Sequence, residues 1–474
     1  MVETYFGIHA HFYQPPRDNP FVGEILVERG AEPHANWNER IAAECYGPNA
    51  TAGNFDRLSF NLGGTLASWL ARHRPEVYAR IVEADRRALV HSGVGNAIAQ
   101  SVHHTILPLA RHRDKVLQIG WGIASFEHRF GRRPVGMWVP ECAVDTETLE
   151  CLADAGVGFT ILSEEQLEEV PVRNHAGPYR VALPSGRSMA VYARDRLLSN
   201  QVSFDMERLA MLGDPAVWLR GELGRRSGGR GRRLVLLATD GETFGHHHRD
   251  GVGFLQALLS VDQPHDHYSV LSLAQHFHEH PPRQEVKLRE PSAWSCQHGV
   301  ARWVIGCDCT PGDSRWKGAL RRALDNLASE LDALYAAEAQ AMGAAGWPLL
   351  AGYSAVVLQQ MDGAHYLAAH GLGALTSQQG ARLLTLLRAQ HHRQRMFTSC
   401  AFFFEDLTRM EPRIAIANAA MAVYLARQVT GSDLGSGFRQ DLRHSFSSRT
   451  QVTAADVYDA VLMDGMVRLE QKQS

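Results

Sequence analysis

Residues 234–245 read LVLLATDGETFG. The apolar run over residues 234–238 is followed by Asp240, Gly241 and Glu242. A short run of this kind is typical of a strand that is buried on both faces of a parallel sheet. In barrels of parallel strands, the residues that follow the strands form the active site. We therefore predict a buried strand that carries Asp240 to a functional site, while noting that Asp-Gly is also a common turn without function.

The same pattern recurs towards the N-terminus. Short strand-like segments at residues 5–11, 56–61, 135–139 and 159–162 alternate with helical patterns such as residues 66–84. This alternation predicts an α/β domain with a parallel sheet. Polar residues again follow the strands: His9 and His11 lie at the end of the first, and Glu141 follows the run that contains Trp138.

The pattern changes after a Pro-rich stretch between about residues 279 and 292. In residues 316–342, leucines recur at spacings of three and four, which places them on one helix face. Further helical patterns cover residues 380–396 and 413–430. We predict a catalytic domain over residues 1–290 and a helical C-terminal domain over residues 291–474.

The composition excludes several classes of protein. The formal net charge of the 474 residues is −3, so no basic field attracts a nucleic acid. No apolar stretch approaches the roughly 20 residues of a membrane span, and the N-terminus lacks a signal-peptide pattern. We expect a cytoplasmic protein without a membrane or nucleic-acid partner. The seven cysteines favour free thiols or a metal site over a disulfide framework.

The histidines have more than one interpretation. His9 and His11 alternate along a strand, so both side chains can point into one pocket, where they could bind sugar hydroxyls or a metal, or simply belong to the core. His104 lies at the edge of an apolar segment, and its pattern is ambiguous by itself. The run His246–His248 lies near Glu242 and Asp250 and could bind a metal, although consecutive residues rarely face one ion.

In this order, the motifs resemble glycoside hydrolase family 57, whose members act on α-glucans with retention. The resemblance covers about the first 290 residues and rests on His11 with Gln14-Pro15, His104 with residues 107–109, Trp138-x-Pro140-Glu141 and residues 240–245. Phe12 and Tyr13 separate His11 from Gln14, which departs from the compact family motif and leaves open whether His9 or His11 binds substrate. Residues 294–303 and 396–406 resemble an uncharacterised C-terminal domain of one branch of this family.

The resemblance implies a distorted (β/α)7 barrel followed by a mainly helical domain. It implies Glu141 as the nucleophile and Asp240 as the general acid/base, with His104 and Trp138 beside the scissile bond. In a retaining mechanism the two carboxyl groups lie about 5–5.5 Å apart. Trp138 offers a flat face for a sugar ring, although it could equally be a core tryptophan beside a surface glutamate.

Cys296, His298, Cys307 and Cys309 form an open cluster near the predicted domain boundary. They could bind a metal, line the substrate pocket by folding over the barrel mouth, or pack structurally; their spacing is tighter than in usual zinc knuckles. We predict pocket lining, with no metal and no cofactor. Asp362 lies in a polar interruption that either approaches the site or caps a helix. The complete set of predicted substrate-binding residues is His9, His11, Gln14, His104, Trp138, Glu242, Phe244, His246, Trp294, His298, Arg302, Trp303 and Asp362.

We predict a retaining glycoside hydrolase or transglycosylase for α-linked glucan. One alternative is a metal-dependent polysaccharide deacetylase or a zinc α-mannosidase-like hydrolase, with His9, His11, Asp240 and one of His246–His248 as ligands. A metal mechanism does not require Trp138-x-Pro140-Glu141, which favours the first interpretation. The other alternative is a glycan-binding protein that has lost turnover.

Overall fold

The computed structural model describes residues 4–168, 170, 175–226, 233–260 and 268–473. Its strands are β1 (Thr4–Phe12), β2 (Asp18–Asn19), β3 (Glu24–Ile25), β4 (Ser59–Leu62), β5 (Ala97–Gln100), β6 (Met137–Trp138), β7 (Phe159–Ser163), β8 (Leu167–Glu168), β9 (Tyr179–Ala182), β10 (Ser188–Arg194), β11 (Arg233–Asp240), β12 (Ser269–Val270), β13 (Gln284–Glu285) and β14 (Lys287–Leu288).

The helices begin with a set that accompanies these strands: α1 (Trp37–Ile41), α2 (Gly47–Thr51), α3 (Gly64–His73), α4 (Pro75–Ser92), α5 (His112–Phe130), α6 (Thr146–Asp154), α7 (Arg196–Phe204), α8 (Met206–Leu212), α9 (Pro215–Arg226), α10 (Gly251–Leu259) and α11 (Leu273–Glu279). The remaining helices follow in sequence: α12 (Trp316–Ala341), α13 (Gly346–Gly352), α14 (Ser354–Val357), α15 (Gly363–Ala369), α16 (Ser377–Arg395), α17 (Met410–Thr430), α18 (Leu434–Leu442) and α19 (Ala454–Gln473).

Seven strands of the described chain follow one another around a distorted barrel. The parallel order β11–β1–β4–β5–β6 continues to β7 through a single bridge between Gly136 and Phe159, and β7 pairs in parallel with β10. The peptide N–H of Asp195 then donates to the Leu236 carbonyl at 2.9 Å, which brings the end of β10 back to β11. This ring confirms the predicted (β/α)7 barrel, and its two sparsely bonded joints account for the distortion.

The parallel register gathers polar residues at the carboxyl ends of the strands. His11 pairs with Asp240 across β1 and β11, and with Asn61 across β1 and β4. Gln100 pairs with Trp138 across β5 and β6. All nine residues of β1 are buried, as expected for a strand covered on both faces. Polar side chains therefore converge at the carboxyl edge of the sheet, where the sequence predicted a site.

Two predicted elements differ from the structure. The helical pattern over residues 66–84 forms two helices, because Pro75 lacks the N–H that a continuing helix would need and instead begins α4. The fourth strand begins at Ser59, because Asp56 belongs to a single 3₁₀ turn over Asn54–Asp56.

Contacts between residues divide the chain into two compact units. The first comprises residues 1–14, 27–102 and 126–294, and it contains the barrel. The second comprises residues 15–26, 103–125 and 295–474. The domain boundary after residue 290 stays a prediction, and two N-terminal segments belong to the second unit.

The second unit is mainly helical, as predicted. The helices α16 and α17 pack against each other, and α12, α18 and α19 pack around them. Within α12, Leu320, Leu324, Leu327 and Leu331 of the predicted leucine face are fully buried, and Leu334, the last leucine of that pattern, is half-buried. None of the described helices is both long and apolar enough to cross a membrane.

Candidate active site

Glu141 lies in a strained turn directly after β6. Its backbone has φ 58° and ψ 21°, and Cys142 follows at φ 47°, so two consecutive non-glycine residues occupy the left-handed region. Such a conformation costs on the order of 1–3 kcal/mol per residue and persists only where the surroundings enforce it. The Gln166 amide donates to the Cys142 carbonyl at 2.7 Å, and the Trp294 N–H donates to the Glu141 carbonyl at 3.0 Å.

Trp294 also holds the Glu141 carboxylate. Its indole Nε1–H donates to Oε2 of Glu141 at 3.1 Å. The indole meets the Trp138 ring edge-on, with 5.0 Å between centroids, and the Arg194 guanidinium lies 4.7 Å from its ring centroid. Trp294, predicted to bind substrate, thus fixes one carboxylate oxygen of Glu141.

Asp240 ends β11 and is accessible to solvent. The protein packed around its carboxyl nevertheless removes enough bulk water that this desolvation, joined by the negative charges of Glu242 and Glu141, raises its pKa to about 8. The Arg194 guanidinium acts in the opposite direction. At neutral pH Asp240 is therefore mainly protonated, which is the state that an acid catalyst requires.

Arg194 is a member of the site that the sequence interpretation missed. It ends β10 and is buried, with hydrogen bonds from Nε to Ser163 Oγ at 3.2 Å and from Nη1 to the Ala238 carbonyl at 3.1 Å. Its Nη2 donates to Asn200 at 3.2 Å. The signal in the sequence was available, since an apolar run over residues 190–193 ends in this arginine.

Glu242 follows Asp240 by two residues and is buried. The Tyr46 hydroxyl donates to its Oε1 at 2.5 Å, and the Gln14 amide donates to the same oxygen at 3.4 Å. Burial raises the pKa of Glu242 to about 7, while these hydrogen bonds oppose the rise. The structure thus joins the predicted residues Gln14 and Glu242. Tyr46 had no signal in the sequence, and it lies in a π-helical turn over Ala42–Tyr46 between α1 and α2.

His9 and His11 share a polar network with Asn61. Nδ1 of His9 is 3.0 Å from Ser59 Oγ, and its Nε2 is 3.1 Å from Asn61 Oδ1. The Asn61 amide also meets Nδ1 of His11 and donates to Gln100 Oε1 at 2.7 Å. Burial lowers the pKa of both imidazoles to about 3, so both are neutral.

Trp138 stacks on these two imidazoles instead of presenting a face to solvent. The ring centroids are 5.1 Å from His9 and 4.7 Å from His11, with interplanar angles of 12° and 16°. Trp138 and His9 have no accessible surface, which corrects the predicted sugar-stacking role of Trp138 and removes His9 from contact with substrate in this conformation. His11 retains slight exposure, at 4%.

The remaining predicted residues of the first unit are Phe244 and His246. Phe244 is fully buried in the core, so its predicted contact with substrate is corrected to packing. Nδ1 of His246 lies 2.5 Å from Glu44 Oε2, and Arg40 binds the same carboxylate group at 3.0 Å. His246 is thereby held by a surface ion pair.

The other predicted residues lie in the second unit. His104 is buried with φ 55°, and its Nδ1 is 2.6 Å from Ser399 Oγ. Trp303 is fully buried, and Arg302 donates to the Cys309 carbonyl at 2.5 Å, so both pack within the unit. Asp362 is exposed and caps α15 by accepting from the His365 N–H at 2.9 Å, and its contact with substrate stays a prediction.

Of the two metal sites considered from the sequence, the structure brings the ligand atoms together in one and not in the other. Among the residues that the structure describes, Cys296, His298, Cys307 and Cys309 form the one group of His, Cys, Asp or Glu side chains whose ligand atoms converge. His9 and His11 instead bind Asn61, and they do not form such a group with Asp240 and the histidines of residues 246–248. The ligand set expected for a deacetylase-like or mannosidase-like centre is thus not assembled in the described chain.

The family model described as "Glycosyl hydrolase family 57" matches residues 18–289, more than half of the chain. The chain belongs to glycosyl hydrolase family 57. A second model, "Domain of unknown function (DUF3536)", matches residues 313–473, which covers α12 to α19. The family 57 match includes Glu141, Asp240 and six of the seven barrel strands, and β1 lies before it.

Three proteins of known name are similar to this chain. "Alpha-amylase 1" of Dictyoglomus thermophilum is 22% identical over 51% of this chain and 32% of its own length. A 1,4-alpha-glucan branching enzyme of Thermococcus kodakarensis is 29% identical over 24% of this chain and 21% of its own. The chain therefore spans a third or less of these relatives. The solved structure of an exo-type maltose-forming amylase from Pyrococcus sp. ST04 covers 98% of this chain and 88% of its own, with TM-score 0.70 and 14% identity, and shows the shared fold.

Proposed function

We propose that this protein is a retaining glycoside hydrolase or transglycosylase that acts on α-linked glucan. Membership of family 57 supports sugar chemistry, and the names of the relatives include both an amylase and a branching enzyme. The observation that carries the proposal is the pair of unlike carboxyl groups: Asp240 is held protonated beside Glu141, whose carboxylate accepts a hydrogen bond from Trp294.

Glu141 is the proposed nucleophile. A hydrogen bond to a carboxylate favours its ionised form, so Trp294 keeps Glu141 ready to attack. Glu141 attacks the anomeric carbon, the glycosidic C–O bond breaks, and Asp240 gives its proton to the departing oxygen. The product is a glycosyl ester on Glu141 and an ionised Asp240.

The second displacement restores both groups. Ionised Asp240 takes a proton from water or from the hydroxyl of an acceptor sugar, whose oxygen attacks the anomeric carbon. The ester bond breaks and Glu141 leaves as a carboxylate. Water gives hydrolysis and a sugar hydroxyl gives transfer, so the acceptor decides which reaction the enzyme performs.

Asp240, and not Glu242, is the proposed acid, because Asp240 is accessible to solvent and Glu242 is buried. Both pKa values are raised, to about 8 and about 7. Glu242 is buried and bound by Tyr46 and Gln14, whereas Asp240 is open to solvent and so to a glycosidic oxygen. Glu242 is then a positioning residue whose charge raises the pKa of the acid.

His11 is the proposed sugar-binding histidine of the first strand. It pairs in register with Asp240 and keeps accessible surface, whereas both nitrogens of His9 are engaged by Ser59 and Asn61. Sugar binding by Gln14, His104 and His246 remains a prediction from the family resemblance.

The test uses Glu141→Gly, Asp240→Asn and the exposed carboxylate variant Asp250→Asn as a control. Each variant is incubated with maltooligosaccharides, and chain lengths are followed over time. We expect a loss on the order of 10⁴-fold or more for Glu141→Gly and about 10²–10⁴-fold for Asp240→Asn. The control should keep wild-type turnover.

Two additions distinguish the roles. With a glycosyl fluoride, whose leaving group needs no protonation, Asp240→Asn should recover glycosylation and Glu141→Gly should not. Azide should rescue Glu141→Gly with a glycosyl azide of inverted configuration, because azide then attacks directly from the side that Glu141 occupied. Normal turnover by both variants would contradict the proposed site, and sugar binding without turnover by the wild type would favour a glycan-binding protein.

A further inference from the structure

Cys296, His298, Cys307 and Cys309 converge at the start of the helical second unit. Their ligand atoms all lie within 4.8 Å of one another. The loop between the Cys-x-His pair and the Cys-x-Cys pair brings the two pairs together, and it contains the 3₁₀ turn Ala301–Trp303. We propose that these four residues form a zinc site with a structural role, a function outside the proposed sugar chemistry and independent of it.

Two of the six distances between ligand atoms are close to the edges of a zinc tetrahedron, and the others lie within 4.8 Å. With Zn–S near 2.3 Å and Zn–N near 2.0–2.1 Å, a tetrahedral centre has S···S edges of about 3.8 Å and S···N edges of about 3.6 Å. The structure has 3.6 Å between the sulfurs of Cys296 and Cys307, and 3.4 Å between Sγ of Cys309 and Nδ1 of His298. A disulfide would require an S–S distance near 2.05 Å. The sulfurs of Cys296 and Cys307 are therefore too far apart for a disulfide and close enough to share an ion.

The ligand chemistry selects zinc. Three thiolates and one imidazole in a tetrahedral arrangement are soft and borderline ligands that suit this ion. Four protein ligands complete the coordination, so no position remains for a catalytic water, and closed sites of this kind are structural. Cys296 is buried, Cys307 and Cys309 are half-buried and His298 is exposed, so an ion can enter from solvent.

Buried cations beside the cluster provide an independent reason. Lys317 has no exposed surface, and its ammonium donates to Thr310 Oγ1 at 3.2 Å, while the peptide N–H of Thr310 donates to the Cys307 carbonyl at 3.1 Å. Arg302 is buried too and donates to the Cys309 carbonyl. Buried cations need negative partners. Zinc with three thiolates and a neutral histidine carries one net negative charge, which joins Glu405 in balancing Lys317.

The backbone conformation at Gly306 and the hydrogen bonds of the loop bring Cys307 and Cys309 close to Cys296 and His298. Gly306 has φ +83°, and a Cβ at this position would collide with the side chain and carbonyl of Ser314. The Gly306 N–H donates to the Ala301 carbonyl at 2.9 Å, and the Thr310 N–H donates to the Cys307 carbonyl at 3.1 Å. The loop thus presents Cys307 and Cys309 towards the first ligand pair.

The experiment measures metal in the purified full-length chain by inductively coupled plasma mass spectrometry. We expect one zinc per chain. Cys309→Ser and His298→Ala should each weaken zinc binding by more than about tenfold, since even residues outside the coordination sphere matter by that factor. Cys400→Ser, a part-exposed cysteine of the same unit outside the cluster, is the matched control and should keep its zinc.

Cobalt gives a signature that does not depend on folding assays. Metal-free reduced protein titrated with Co²⁺ should develop thiolate-to-cobalt charge-transfer bands and the visible bands of a tetrahedral ion, and Cys309→Ser should weaken them. A wild-type chain without zinc that takes up neither ion would overturn the proposal. So would unchanged zinc in both ligand variants, or a Cys296–Cys307 disulfide found by mass spectrometry in protein purified without oxygen.

Discussion

At the scale of single residues, the two carboxyl groups differ because their surroundings differ. Asp240 is accessible to solvent, but the protein packed around its carboxyl and the charges of Glu242 and Glu141 raise its pKa, whereas one oxygen of Glu141 accepts the Trp294 N–H. The two candidates were predictable, because each follows an apolar run directly in the sequence. Their partners were not: 153 residues separate Glu141 from Trp294, and no local pattern records such a contact.

The pKa of Asp240 predicts how activity and stability depend on pH. Asp240 must be protonated to act as the acid, so kcat/KM should fall above about pH 8. Its folded pKa lies above the ordinary value of 3.8, so its contribution to stability is complete below about pH 4 and is lost as the pH rises through 8. The Tm of Asp240→Asn should therefore rise relative to wild type between pH 4 and 8 and then stay level. A constant difference over that range would contradict the raised pKa, and Asp250→Asn is the exposed-carboxylate control.

The hydrogen bond from Trp294 to Glu141 predicts a kinetic effect. Trp294→Phe keeps a ring but removes the donor to a charged oxygen, an interaction worth about 1.5–3 kcal/mol. We expect kcat to fall roughly 10- to 100-fold, measured with maltooligosaccharides under saturation, while Tm changes little. Trp218→Phe in α9, a half-buried tryptophan outside the site described above, is the matched control. Equal effects in both variants would mean that the smaller ring, and not the lost hydrogen bond, lowers kcat.

At the scale of elements, the sequence predicted regular segments well where one physical signal dominated. The apolar run over residues 234–238 became part of β11, and the leucine spacing predicted α12 closely. The broken helix at Pro75 was missed because the apolar pattern continues across it, although proline alone indicated the boundary. The turn at Glu141 was also missed, since a left-handed glutamate is imposed by tertiary contacts and not by its own preference.

The buried face of α12 predicts a graded loss of stability. Leu324 is fully buried and Leu334 of the same helix is half-buried. Leu324→Ala should lower the free energy of unfolding by about 2–5 kcal/mol, because it removes apolar contacts and leaves a cavity. Leu334→Ala should cost clearly less. Denaturant unfolding of both variants checks the difference, and equal losses would contradict the orientation of the helix.

At the scale of the whole molecule, the sequence predicted two successive domains, whereas contacts assign residues 15–26 and 103–125 to the second unit. No pattern in the chain could show this, because membership depends on long-range pairs. Asp18 binds Arg395 at 2.6 Å, the Lys472 ammonium donates to the Val22 carbonyl at 2.8 Å, and Arg393 binds Asp114 at 2.8 Å. These pairs link segments that are hundreds of residues apart.

The same pairs predict that residues 1–294 do not fold normally alone. Without residues 295–474, Asp114 loses its partner Arg393, and breaking a buried ion pair costs about 3–5 kcal/mol. Asp18 loses Arg395, and Phe21 loses the packing against Gly465. Expressed alone, this fragment should be largely insoluble or melt far below the full chain, and co-expression with residues 295–474 should restore it.

The matched control is the full chain cut at a protease site inserted between Pro282 and Arg283, which keeps every one of these contacts and should melt like the intact protein. A fragment that melts cooperatively at the temperature of the full chain would show instead that residues 15–26 and 103–125 need no partner from the second unit.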